Sequence, residues 1–160
     1  MIKKLLGYLS LGCLLNAWVM TAMAAPQIVV SECAWSNEIL EREPVFPYTA
    51  TAPLYFWTKI QGNAEALEQL KRRRVLLIEH IWQRLSGTRF RIVDKIRLPI
   101  QASDELINGF EWEVKERGFF DWRTFSVKRN LPSDYWRVQV YYNYRPVQVE
   151  AYCENEVQVE

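Results

Sequence analysis

The stretch RFRIVDKIRL, residues 89–98, alternates apolar and charged side chains. In an extended chain Phe90, Ile92, Ile96 and Leu98 fall on one side, and Arg89, Arg91, Lys95 and Arg97 on the other. That period of two is the mark of a half-buried strand. The following run repeats it, with Phe110, Trp112 and Val114 set between Glu111, Glu113 and Lys115. A basic outer row followed by an acidic one predicts two paired strands joined by a long loop over 99–109. Each cross-strand ion pair contributes about 0.2–1 kcal/mol and helps to fix register.

The same spacing predicts strands near 27–33, 36–43, 54–61, 75–83, 120–128, 135–142 and 147–153. Breakers separate them: Pro44, Pro47, Gly62, Gly87, Gly109, Gly118, Pro132 and Pro146. Many short strands between turn signals predict an all-β fold, an immunoglobulin-like antiparallel β-sandwich. One helix interrupts them. NAEALEQLKRR, residues 63–73, has an N-capping Asn63, Glu65 near its positive end and Lys71, Arg72 and Arg73 near its negative end. Ala66, Leu67 and Leu70 form a narrow apolar stripe that would lie against the sheets.

Residues 1–24 read as a signal peptide: Lys3 and Lys4, an apolar run, then Ala22-Met23-Ala24 as a cleavage site. An uncleaved anchor is the alternative. Cys13 does not fit a lipidation site, because the apolar run continues well past it. Losing Lys3 and Lys4 changes the net charge from +1 to −1, which argues against a nucleic-acid partner. The expected mature chain, residues 25–160, is long enough for one domain with a real core. Its address is periplasmic or secreted, with no stable membrane insertion after cleavage. Cys33 and Cys153 remain, and in an oxidising compartment they are expected to pair. A bridge closing so long a loop stabilises by about 4–5 kcal/mol in the chain-entropy model.

His80, in IEHIWQ (78–83), is the single histidine. In a strand it shares a face with Ile78 and Trp82, so it reads first as a packing residue with one hydrogen bond fixing its tautomer. A ligand contact and a general base are the alternatives. No G-x-S-x-G elbow or phosphate-cradling glycine loop occurs. Glu111 and Glu113 have the spacing of a glycosidase pair on one strand face, although charge pairing explains them first. One histidine and scattered acids call for no metal and no cofactor. The basic run KRRR (71–74) reads as a helix end, with anionic headgroups or phosphates as its other reading.

Aromatic residues are in excess, twenty of the 136 beyond the leader. Tyr55 and Trp57 fall opposite Leu54, Phe56 and Ile60, and Tyr141, Tyr142 and Tyr144 cluster near a turn. Such side chains can stack on sugars or anchor a protein partner; the other reading is that the inserted helix and the proline-rich segment EPVFPYTATAP (43–53) cover both faces of some strands.

The order of short motifs resembles the bacterial domain-of-unknown-function family 2914. The motifs are Arg42-Glu43-Pro44, YFWTKIQG (55–62), IEHIWQ (78–83), WRTFSVK (122–128) and WRVQV (136–140). They cover roughly residues 38–153. The likeness falls on Arg42, Glu43, Pro44, Thr58, Gly62, His80, Trp82, Arg123, Ser126, Lys128 and Trp136, and implies an exported β-sandwich module with no assigned activity or catalytic residue. This chain departs from it in the helix over 63–74, the Cys33/Cys153 pair, and Asn143-Tyr144-Arg145-Pro146 in place of an Asp-Gly-type turn. If the 120–128 strand neighbours the His80 strand, His80, Trp82, Trp122 and Ser126 form one aromatic and polar patch.

These readings favour a non-catalytic binding or adaptor module for an envelope protein or glycan. Its candidate contact residues are His80, Trp82, Trp122, Arg123, Ser126, Lys128, Tyr55 and Trp57. A small glycan-acting enzyme using Glu111 or Glu113 with His80, and a structural component of an envelope assembly, are the alternatives.

Overall fold

The computed structural model of the chain describes residues 27–38, 48–149 and 153–160. Among them the elements run β1 (Ile28–Ser36), β2 (Leu54–Asn63), α1 (Ala64–Arg73), β3 (Val75–Ser86), β4 (Arg89–Gln101), α2 (Asp104–Arg117), β5 (Phe119–Lys128) and β6 (Asp134–Tyr142). Three short strands follow: β7 (Arg145–Pro146), β8 (Gln148–Val149) and β9 (Glu156–Val159). The leader, the Arg42-Glu43-Pro44 motif and most of the strand expected over 36–43 lie outside the described residues; Ser36 itself closes β1.

The chain is mostly β, in two sheets. One has the order β5-β2-β1-β8, antiparallel except for β1 with β8. The other has the order β4-β3-β6, and β7 and β9 pair with opposite halves of β6. Leu54, Phe56, Thr58 and Ile60 of β2 are buried on one face. They meet Ile78, His80 and Trp82 of β3 and Trp136, Val138 and Val140 of β6 in a common core. The Trp35 and Trp82 rings, one from each sheet, are 5.7 Å apart edge to face, and Phe56 meets His80 at 5.3 Å. The sheets therefore meet face to face.

Helix α1 forms where its caps and stripe place it. Asn63 accepts from the Ala66 amide at 3.0 Å, Arg74 closes the helix in the left-handed region, and Ala66, Leu67 and Leu70 are buried.

The acidic row is a helix and not a strand. Ser103 caps α2 by accepting from the Leu106 amide, Asp104 and Glu105 occupy its first turn, and Gly118 ends it in the left-handed region. Phe110, Trp112 and Val114 satisfy a period of two, but Ile107, Phe110 and Val114 also satisfy a period of 3.6. The helical pattern wins because only Ile107 and Phe110 of α2 are buried, while Trp112 is 65% exposed. Gly109 lies within this helix, and the long loop over 99–109 does not exist, since β4 runs on to Gln101. The expected acidic-to-basic strand pairing is replaced by Glu111 with Lys71 (2.6 Å) and Glu113 with Arg117 (2.6 Å).

Within RFRIVDKIRL the apolar stripe is split. The pairing of β3 with β4 shifts between Trp82 and Gln83, so that Val93 is an extra residue. Ile96 and Leu98 pack on the core, whereas Ile92 is 54% exposed and Phe90 lies on the outer face under the Arg137 guanidinium. The strand expected over 147–153 is also revised: β8 takes two residues and pairs in parallel with β1, and β9 supplies the edge of the other sheet.

Gly62 stands opposite Phe120 in the pairing of β2 with β5, and an added Cβ would run into that ring. Phe120 has little room to yield, being fully buried and stacked on Phe110 at 4.2 Å. Gly62→Ala should therefore destabilise by about 1–3 kcal/mol through overpacking. Urea unfolding of Gly62→Ala, with Gly62→Ala/Phe120→Leu as the compensating pair, checks this: the double variant should recover part of the loss.

Candidate functional site

His80, Trp82 and Ser126 do come together, but between the sheets and not on a surface. β3 and β5 belong to different sheets and face each other across the core. His80 Nδ1 lies 2.8 Å from Ser126 Oγ, His80 Nε2 lies 3.1 Å from Thr58 Oγ1, and Trp82 Nε1 donates to Ser126 Oγ at 2.9 Å. His80 is 0% exposed, and Thr58, Trp82 and Ser126 are buried with it. Both ring nitrogens have partners in either tautomer. In one tautomer a continuous chain runs from Trp82 N–H through the Ser126 hydroxyl to Nδ1, with Nε2–H on to Thr58, each bond polarising the next.

A serine touching a histidine invites comparison with a nucleophile and its base. Here no substrate atom can reach Ser126 Oγ, and the imidazole's second nitrogen holds a threonine and not an orienting carboxylate. Burial drives the His80 pKa down from 6.5 to about 3, so the folded ring is neutral through the range in which imidazole ordinarily titrates. Glu111 and Glu113 sit on α2 in ion pairs of their own. They are not among His80's partners.

Trp122, the fourth member of the expected patch, separates from it. It is half-buried and meets Phe110 of α2 edge to face at 6.0 Å. Lys128, at the end of β5, forms an ion pair with Asp94 of β4, which joins the two sheets and holds the Asp94 carboxyl below its usual range. Thr58 is the partner that the sequence reading missed. Its signal was there: a polar residue in phase with Leu54, Phe56 and Ile60 needs a buried hydrogen bond.

The remaining candidates gather on the outer face of the β5-β2-β1 sheet. Trp57 stands opposite Phe125, with ring centroids 4.5 Å apart, and Tyr55 packs on the same Phe125 at 5.8 Å. Beside this ladder is a cavity of about 170 Å³ lined by Glu32, Ala34, Trp57, Lys59 and Arg123. Lys59 is neutralised by Glu32 at 2.8 Å and Asp121 at 3.8 Å. Arg123 is exposed and has no ion pair among the described residues. The Trp57 indole N–H is buried and has no hydrogen-bond partner among the described residues. Phe125 was not singled out from sequence, because its importance comes from cross-strand register.

Cys33 of β1 and Cys153, just before β9, form a disulfide with Cα atoms 4.9 Å apart. Among the described residues no helix is long and apolar enough to cross a membrane, and no cluster of histidine, cysteine and acids is placed to hold a metal ion. The chain matches no protein-family model, no curated protein and no solved structure.

The depressed histidine pKa has a definite consequence. Below pH 6.5 the unfolded chain takes up a proton that the folded chain refuses until about pH 3, so acidification destabilises the fold through that window. The slope is about 1.4 kcal/mol per pH unit, giving roughly 2 kcal/mol between pH 7 and pH 5. His80→Gln should be less stable at pH 7, and its deficit should narrow by about that amount at pH 5. Urea midpoints at the two pH values measure it; a constant deficit contradicts a histidine held neutral by burial.

Proposed function

We propose that this chain is a non-catalytic binding module of the cell envelope, exported by its leader and recognising an envelope protein or glycan. The outer face of the β5-β2-β1 sheet carries the recognition. The observation behind this is the ladder of Tyr55, Phe125 and Trp57 beside a cavity with an uncommitted arginine. Aromatic rings offer a large area at low entropic cost, and Arg123 adds a directional charge.

The strand order supports an immunoglobulin-like sandwich. β1, β2 and β5 take the places of the first, second and fifth strands in one sheet, while β3, β6 and β9 take the C, F and G places in the other. A buried tryptophan on the third strand, here Trp82, fits as well. The disulfide departs from that pattern, since it joins β1 to the segment before β9. A bridge of this kind supports an oxidising address. The reading agrees with the likeness to domain family 2914, whose motif positions Thr58, His80, Trp82 and Ser126 make up the core network.

The enzyme reading loses its support at His80, which is enclosed, and at Glu111 and Glu113, which serve ion pairs. Tyr55→Ala/Trp57→Ala should weaken partner capture per folded molecule by about thirtyfold, the scale of a truncated aromatic anchor, with only a modest fall in melting temperature from the lost packing on Phe125. His80→Ala should do the reverse, with a large stability loss and normal capture per folded molecule. Pull-down from envelope extracts read by mass spectrometry, together with a glycan array, measures both. Undiminished capture by the aromatic double variant overturns the assignment to this face.

A further inference from the structure

A second surface lies away from that sheet face. The hairpin joining β6 to β7, the end of α1 and the start of β1 enclose an open groove of about 590 Å³. That is within the roughly 300–1,000 Å³ of small-molecule sites. Its lining holds Arg73 and Arg145 and, among the described residues, no acid. Both arginines are exposed, and neither forms an ion pair among the described residues. Three glutamine amides, Gln27, Gln69 and Gln148, line the same groove. The Gln69 amide oxygen is fixed by the Tyr142 hydroxyl at 2.8 Å.

The turn itself adds a further observation. Asn143 and Tyr144 both have positive φ, 50° and 64°. Between the paired Tyr142 and Arg145 this is the two-residue turn normally built from Asn-Gly. Asparagine tolerates the left-handed region, whereas a tyrosine there is strained and its ring is held 73% exposed at the groove. Folding alone would favour glycine at position 144, so the ring calls for another reason.

We propose that this groove binds an anionic saccharide, with its acidic group between Arg73 and Arg145, its hydroxyls on the exposed Gln27 and Gln148 amides and a ring face on Tyr144. Guanidinium groups suit carboxylate and phosphate alike, amides suit sugar hydroxyls, and an exposed phenol suits a sugar face. A neutral sugar would leave both cations unused. None of the groove residues belongs to the Tyr55–Trp57 ladder, so the two sites succeed or fail separately.

Isothermal titration of the purified protein with tri-galacturonate, galactotriose and glucose 6-phosphate tests this. At low salt the protein should bind tri-galacturonate, glucose 6-phosphate or both at least tenfold more tightly than galactotriose; which of the two binds tells carboxylate from phosphate. Arg73→Ala/Arg145→Ala should remove that preference without moving the melting temperature, and Tyr144→Gly should weaken binding severalfold in a protein that remains folded. Tyr55→Ala/Trp57→Ala should bind these probes as the parent does. Equal affinity for the neutral trisaccharide, binding by the arginine double variant equal to the parent's, or no binding of either acidic probe at millimolar concentration overturns the proposal.

Discussion

Four polar groups from both sheets are tied together inside an otherwise apolar core: Thr58 and Ser126 from one, His80 and Trp82 from the other. Apolar contacts alone tolerate sliding of one sheet over the other, because area is buried in many alignments. A buried hydrogen bond does not. Shifting either sheet by one residue pair would strand an imidazole nitrogen, an indole N–H and two hydroxyls, each costing about 1–3 kcal/mol when left unpaired. The network therefore selects one alignment, and the edge-to-face rings of Trp35 and Trp82 and of Phe56 and His80 fit around it. Polar residues inside a core are here the device that makes the packing unique.

Further constraints act at the margins of the sheets. The disulfide links cysteines separated by 120 positions, worth about 5 kcal/mol in the chain-entropy model, and it ties β1 to the segment leading into β9. Lys128 and Asp94 join β5 to β4, the edge strands of opposite sheets. Helices α1 and α2 touch through Lys71, which bridges Glu68 and Glu111. These partly exposed pairs each contribute little in water. Their effect is on geometry: they fix which edges meet, while burial supplies the stability.

Much of this architecture could be read from the residues. Period two found β2 and β6, where burial alternates, and also β5 and β3, although the middle of β3 is buried on both faces; α1 announced itself through Asn63 and three terminal cations. Three features were hidden for physical reasons. Residues 110–115 satisfy two periods at once, and capping by Ser103 and Gly118 decides between them. The bulge at Val93 turns Phe90 and Ile92 outward, and no local signal marks it, since it comes from pairing with β3. β9 is four residues long, too short for alternation to stand out. At the candidate site, His80, Trp82 and Ser126 were expected together, but Trp122 lies elsewhere, Thr58 was not placed with them, and the buried location was not legible. Ser126 and His80 are on facing strands of different sheets, and strand order is a property of the whole chain.

The polar groups of the core network are committed to one another. The one histidine is committed to two hydroxyls and kept neutral by burial, so it does not change protonation state near neutral pH. The uncommitted groups are elsewhere. Arg123 stands beside a half-buried aromatic ladder, and Arg73 and Arg145 flank a groove whose turn holds a strained, exposed tyrosine. A side chain that contributes to folding is normally paired or buried; among the described residues these three arginines are exposed and without an ion pair, Arg73 serving only the negative end of α1. Their cost to the fold is small because each stays hydrated at the surface, and that same hydration can be exchanged for a ligand's anionic group. The rigid interior thus holds the scaffold, while among the described residues the exposed arginines leave charge beside aromatic surface without an ion pair to satisfy it.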